Sequence, residues 1–253
     1  MVTVTVDGRS VKVREQAYVL EACRLAGADV PTLCHHEAVE PYGACRLCMV
    51  EVTRPDWGGH TRMVASCLYP VEDGLIVHTA TEKVLDVRRV VIDLLLARCP
   101  NTPLVRQMAR KLGVEETSYE KAAEPTDCIL CGLCTRVCDA IGPAAISAVN
   151  RGIGREIAPP FKEPPPACIG CLACAEICPT GHIKYQTSDT SRTIWGKTFE
   201  MLRCSRCGRA YVTREQAAFF ERTRGIPASY MGLCDSCKRK VLADTAAQLC
   251  VTR

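Results

Sequence analysis

Residues 128–138 read Cys128-Ile129-Leu130-Cys131-Gly132-Leu133-Cys134-Thr135-Arg136-Val137-Cys138, and the same spacing returns as Cys168, Cys171, Cys174 and Cys178, followed by Pro179. Three thiolates three residues apart can wrap a loop around one compact inorganic core. The competing reading of such cysteines is a set of disulfides or of small buried hydrophobes. A four-cysteine run used twice at one spacing argues against it.

The doubled run resembles the bacterial two-cluster ferredoxin pattern, in which the fourth cysteine of each run ligates the other cluster. That resemblance implies one 4Fe–4S cluster on Cys128, Cys131, Cys134 and Cys178, and a second on Cys138, Cys168, Cys171 and Cys174. Crossed ligands would hold the two clusters close together, as electron tunnelling requires.

Two further groups flank the doubled run. Upstream, Cys34, Cys45, Cys48 and Cys67 are separated by ten, two and eighteen residues. The order resembles that of plant-type ferredoxins, with the first gap lengthened from four residues to ten, and the expected occupant is a 2Fe–2S cluster. A tetrahedral zinc is the rival for the same four thiolates. His35 and His36 read as loop residues near the mouth of the site, since four cysteines already complete it. Downstream, Cys204-x-x-Cys207 and Cys234-x-x-Cys237 are two knuckles of a tetrathiolate site. Zinc leads there, with a rubredoxin-like iron or a further cluster as alternatives. A structural zinc would staple a segment too small for a core of its own, with a binding free energy of about 10–16 kcal/mol.

These groups take sixteen of the nineteen cysteines and leave Cys23, Cys99 and Cys250 over. Cys23 falls on the apolar face of a short expected helix and reads as a buried small hydrophobe. No N-terminal stretch resembles a secretory signal and no apolar run approaches about eighteen residues, so the expected setting is the reducing cytoplasm, with no membrane span. The formal charge of +4 counts thiols as neutral. Four tetrathiolate sites of about −2 each would bring the loaded chain to roughly −4, which undercuts a nucleic-acid partner.

Along the chain, the alternation in Val2 to Val6, the Asp7-Gly8 turn signal and Val11 with Val13 predict a hairpin. A helix should follow and stop at Gly27. Strands are expected at Met49–Val52, Met63–Ala65 and Leu75–Val77. Together these describe a β-grasp domain over residues 1–80. A helical spacer follows over 81–124, with one helix capped near Thr79 or Thr81 and a second ended by Gly113. A two-cluster ferredoxin domain is expected over 125–190. Within it residues 150–167 form a surface hairpin or irregular loop, and Gly152-x-Gly154 lacks the frame of a dinucleotide site. The tetracysteine tail covers 191–253, with a helix from Thr213 to Arg224. The fold class is therefore α+β.

Residues 1–185 as a whole resemble the N-terminal electron-input module of several iron–sulfur subunits. These are the complex I large iron–sulfur subunit, iron-only hydrogenases, NAD-linked formate dehydrogenases and the diaphorase small subunit. The resemblance rests on the Cys34–Cys67 set, on Asp127-Cys128-Ile129-Leu130-Cys131-Gly132-Leu133-Cys134 and on Cys168-Ile169-Gly170-Cys171. It implies a module docked beside a flavin- and NAD(P)-binding subunit and passing electrons to a catalytic redox subunit. One departure is plain: residues 79–127 hold no histidine and only Cys99, so the family's additional histidine–cysteine cluster should be missing. The expected function is single-electron transfer within a multisubunit oxidoreductase, without a substrate site in this chain.

Two other readings compete. The iron–sulfur subunit of a succinate dehydrogenase or fumarate reductase also orders a 2Fe–2S domain before a ferredoxin-like one, but its first ligand gap is short. A zinc-dependent regulatory or nucleic-acid-binding protein would make the tail the working part. Dispersed arginines and 5% aromatics give it neither a phosphate patch nor stacking platforms.

Overall fold

Alternating valines make the first two strands, β1 (Val2–Val6) and β2 (Arg9–Val13), which pair antiparallel across Asp7 and Gly8. Those two residues take φ of 45° and 83°, the left-handed pair that a two-residue hairpin turn needs. Helix α1 (Val19–Leu25) and strands β3 (Met49–Thr53), β4 (Arg62–Ala65) and β5 (Leu75–His78) complete a mixed sheet of order β2-β1-β5-β3-β4, in which β1 and β5 run parallel. Helix α1 lays Val19, Ala22 and Cys23 against Val4, Val6, Val50, Val52, Leu75 and Val77. Each such aliphatic side chain contributes about 1.5–3 kcal/mol by leaving water. The computed structural model describes residues 1–227 and 229–251, with side chains up to residue 248.

Helix α2 (Glu82–Arg98) starts where the hydroxyl of Thr81 accepts the Val84 N–H at 3.3 Å. It breaks at Cys99 and Pro100, and α3 (Pro103–Lys111) begins on a proline and stops before Gly113. Ile92, Leu96, Cys99, Val105 and Ala109 of this spacer form one core with Leu33, Cys34, Cys45 and Leu47 on one side. Ile129, Cys131 and Leu133 close the other side. The helices are thus a shared wall between the first cysteine group and the doubled run.

The doubled run supplies α4 (Leu133–Ile141) and α5 (Ala173–Glu176), separated by the hairpin β6 (Ser147–Val149) and β7 (Glu156–Ala158). Strands β8 (Tyr185–Thr187), β9 (Ser191–Ile194), β10 (Lys197–Arg203) and β11 (Ala210–Thr213) then form an antiparallel sheet of order β11-β10-β9-β8. Helices α6 (Arg214–Arg224) and α7 (Asp235–Val251) follow, α6 capped by Thr213, whose hydroxyl accepts the Gln216 N–H at 3.1 Å. The sheet crosses the expected boundary at residue 190, since β8 and β9 pair from Tyr185↔Ile194 to Thr187↔Arg192. Ile194 and Phe199 are almost completely buried, in one core with Cys134, Ile146, Ile157, Cys174 and Ile183. Alternation along β9 and β10 sends these apolar residues toward the doubled run. Among the described residues, no helix is long and apolar enough to cross a membrane.

Candidate metal centres

Each four-cysteine run bends its chain in the same way. In the first, Leu130 and Gly132 have φ of 53° and 70°; in the second, Gly170 and Leu172 have φ of 67° and 66°. The left-handed residues stand at equivalent positions on either side of the second cysteine, and each run then enters a helix, α4 or α5. Glycine fills one of the two positions in each run and leucine the other, so each loop accepts one strained residue.

The fold sorts the eight sulfurs into two pockets. Cys128, Cys131, Cys134 and Cys178 line one small pocket, with Ile129, Ile157 and Ile183 as apolar walls. Cys138, Cys168, Cys171 and Cys174 line another, with Ile146, Ile194 and Trp195. In each pocket the fourth cysteine comes from the other run. Burial pushes the thiols of Cys131, Cys134 and Cys174 up to about 11, 12 and 12, and raises Cys128, Cys138 and Cys168 as well. Cys178 departs downward: burial raises it, but the Thr180 hydroxyl at 3.5 Å and the backbone around Thr180, His182 and Ile183 outweigh that. Sulfurs this buried bind soft metals with loss of their protons.

The first cysteine group is equally gathered. Cys45 N–H donates to Cys34 Sγ and Leu33 N–H to Cys45 Sγ, each at 3.4 Å, while Cys48 Sγ and Cys67 Sγ lie 3.4 Å apart. That separation is far beyond a disulfide bond. Arg46, at φ 57°, turns the loop between Cys45 and Cys48. Cys67 follows β4 by two residues, in a turn rather than in a strand. Hydrogen bonding with the Cys45 and Cys67 thiols draws Cys34 and Cys48 down to about 6, while Cys45 and Cys67 are raised in return. Backbone amides aimed at buried sulfurs suit a thiolate-bound cluster, because such groups stabilise negative charge on sulfur.

In the tail, Cys204, Cys207, Cys234 and Cys237 bring their sulfurs within 4.8 Å of one another. Cys204–Cys207 is the turn of the β10–β11 hairpin, closed by the Gly208 N–H on the Cys204 carbonyl at 2.8 Å, and Cys234 immediately precedes α7. Burial pushes Cys237 up to about 12, and backbone N–H groups draw Cys204 down to about 6. The donor set fits a tetrahedral ion.

The remaining cysteines behave differently. Cys23 is buried among the valines of the first sheet, its thiol pushed up to about 12 by burial. Cys99 is buried in the spacer core at about 11, for the same reason. Cys250 lies outside the described side chains. His35 and His36 lie on a cleft beside Cys34, lined also by Arg24, Glu37 and Arg136.

Several residues that hold the sites were not singled out from the sequence. Arg98 donates to the Cys128 carbonyl at 2.9 Å, and Lys197 to the Cys168 carbonyl at 2.8 Å, so a cation clamps the first cysteine of each run. Arg136 on α4 donates to the Cys34 carbonyl at 2.8 Å and also to the Glu40 carbonyl. It joins the first cysteine loop directly to the doubled run. An arginine inside a cysteine run carries no signal of such a reach.

Residues 1–82 match the family described as a 2Fe-2S iron-sulfur cluster binding domain. The chain is 31% identical over 212 residues to the NADP-reducing hydrogenase subunit HndD of Solidesulfovibrio fructosivorans, covering 72% of this chain and 35% of that one. It is 30% identical over 173 residues to the mitochondrial NADH-ubiquinone oxidoreductase 78 kDa subunit of Candida albicans, covering 68% and 21%. The chain therefore spans about a third or less of these relatives. Among solved structures, an NAD+-reducing [NiFe]-hydrogenase in the H2-reduced state superposes with a TM-score of 0.55 at 30% identity, covering 62% of this chain and 74% of that chain.

Proposed function

Because this chain belongs to the family of iron–sulfur subunits that includes those hydrogenase and NADH-oxidoreductase subunits, we propose that it is the electron-transfer subunit of a multisubunit cytoplasmic oxidoreductase. It holds a 2Fe–2S cluster on Cys34, Cys45, Cys48 and Cys67. One 4Fe–4S cluster sits on Cys128, Cys131, Cys134 and Cys178, and another on Cys138, Cys168, Cys171 and Cys174. A zinc ion on Cys204, Cys207, Cys234 and Cys237 staples the tail. The layout is a β-grasp domain, a helical spacer, a two-cluster ferredoxin domain and the tail. When bound, the clusters supply one-electron transfer; the chain binds them, fixes their order and keeps water out. Its partners are a flavin- and NAD(P)-binding subunit and a catalytic subunit of hydrogenase, formate dehydrogenase or bifurcating-reductase type.

The observation that carries this reading is the pair of pockets, each lined by three cysteines of one run and the fourth of the other. The shared core supports the order of the sites. Cys34 and Cys45 pack with Cys131 in one apolar cluster. The spacer thus brings the first site against the doubled run.

Anaerobic purification with iron and sulfide analysis tests the proposal. About ten iron atoms per chain are expected from one 2Fe–2S and two 4Fe–4S sites, with paramagnetic signals from all three after dithionite reduction. Cys178→Ser should degrade the cluster of the first run and Cys138→Ser that of the second. A colourless preparation holding only zinc would overturn it.

A further inference from the structure

The sheet of β8 to β11 does more than carry the tetracysteine site. Its side chains hold four carbonyls of the loop that begins the second run. Lys197 Nζ donates to the carbonyls of Pro166 and Cys168 at 2.8 Å each, and the Thr213 hydroxyl to that of Ile169 at 2.5 Å. Arg192, 8% exposed, donates to the Gly170 carbonyl at 2.8 Å. Phe199 lies so close to Gly170 that a Cβ there would meet its ring at 2.8 Å.

Trp195 stands at the centre of this contact. It occupies the turn between β9 and β10 with φ 54°, a left-handed conformation that bulky residues avoid. Asparagine or glycine would fill such a turn without strain, so the position holds tryptophan at an energetic cost. The ring lines the pocket of Cys138, Cys168, Cys171 and Cys174. Its Nε1 is buried and meets no oxygen, nitrogen or sulfur acceptor in ordinary hydrogen-bond geometry. A buried donor left without a partner is costly. Cys174 lines the same pocket; burial pushes its thiol up and the neighbouring indole N–H draws it down. A thiolate there, with its larger charge, is the acceptor that this N–H lacks.

We infer that Trp195 is a positioning residue of the second 4Fe–4S site, its indole N–H directed at Cys174 Sγ and its ring sealing the pocket, so that the C-terminal sheet sets the reduction potential of that cluster. This rests on the cluster assignment proposed above. One-electron reduction adds negative charge to the cluster and its sulfurs, and a donor to sulfur favours the reduced form. The chain has a matching device at the other pocket, where the Thr180 hydroxyl lies 3.5 Å from Cys178 Sγ.

The test is a redox titration of the full chain followed by paramagnetic resonance. Trp195→Phe keeps an aromatic seal and removes the N–H. The reduction equilibrium constant of one 4Fe–4S cluster should fall about three- to tenfold, where tenfold is 59 mV for a one-electron couple. The 2Fe–2S signal should not move, and Thr180→Val should shift the other 4Fe–4S signal. Replacing Trp195 by its benzothiophene isostere, which preserves shape without the N–H, gives the same reading should the phenylalanine variant fold poorly. Unchanged potentials in loaded Trp195 variants would overturn the inference and leave the cluster assignment standing. Loss of both 4Fe–4S signals already in the unsubstituted protein would overturn the assignment itself.

Discussion

Arg88 shows how a single residue can report on a site it does not ligate. It sits on α2 at 3% exposure, donates through Nη2 to the Met49 carbonyl at 2.8 Å, and keeps a buried Nε without a partner. No carboxylate pairs with it among the described residues at ion-pair distance; burial depresses its pKa, while the charges of Cys48, Cys23, Asp29 and Asp7 oppose that. A buried cation without a close counter-ion is expensive. Negative charge on the neighbouring Cys48 site would offset the cost. Arg88→Met is therefore expected to lower the reduction equilibrium constant of the 2Fe–2S cluster by about tenfold, or 59 mV for one electron. Arg88→Lys should retain most of it, and a redox titration of both variants would check the charge argument. Equal shifts in the two would assign the effect to packing instead.

At the scale of the element, the two cysteine loops are copies with unequal tolerance. Both Gly132 and Gly170 have positive φ, which costs a side-chain-bearing residue roughly 1–2 kcal/mol. At Gly132 a Cβ would meet nothing closer than Tyr42 at 3.7 Å, whereas at Gly170 it would strike Phe199 at 2.8 Å and Thr213 at 3.0 Å. Gly170→Ala should accordingly reduce occupancy of the second 4Fe–4S site severalfold, and Gly132→Ala should have a smaller effect on the first. Iron content and the intensities of the separate resonance signals would show whether the asymmetry holds. The same elements show what was legible in the sequence. The hairpin of β1 and β2, the spacer helices capped at Thr81 and broken at Pro100, and the cap at Thr213 are local patterns, and local chemistry encodes them. The cysteine grouping was legible because metal ligation imposes strict spacing. Strands β8 to β11 were not, since their polar alternation is short and their partner surface lies twenty or more residues away. The grips of Arg98, Arg136 and Lys197 are long-range contacts between common residues, which no spacing announces.

Across the described residues, two cores meet at cysteines instead of being separated by a linker. The spacer core contains Cys34, Cys45 and Cys131, and the core of the doubled run contains Cys134 and Cys174 together with Ile194 and Phe199 from the last sheet. The tetracysteine knuckle is the turn of the very hairpin whose strands bear Lys197, Phe199 and Thr213. Stripping its metal with a chelator, or replacing Cys237 by Ser, should loosen that hairpin, given the roughly 10–16 kcal/mol such sites can contribute. The second 4Fe–4S cluster is then expected to bleach several times faster in air, while the 2Fe–2S cluster decays at its original rate. Time-resolved absorbance and resonance measurements distinguish the two, and parallel decay of all clusters would exclude the coupling. One practical corollary concerns shortened versions of the protein. A product cut after residue 190 would retain the twelve cysteines of the first group and the doubled run. Yet it would be missing Arg192, Trp195, Lys197, Phe199 and Thr213, the outer wall of one of its three cradles, and would make a lopsided ferredoxin with a sound half and a leaky one.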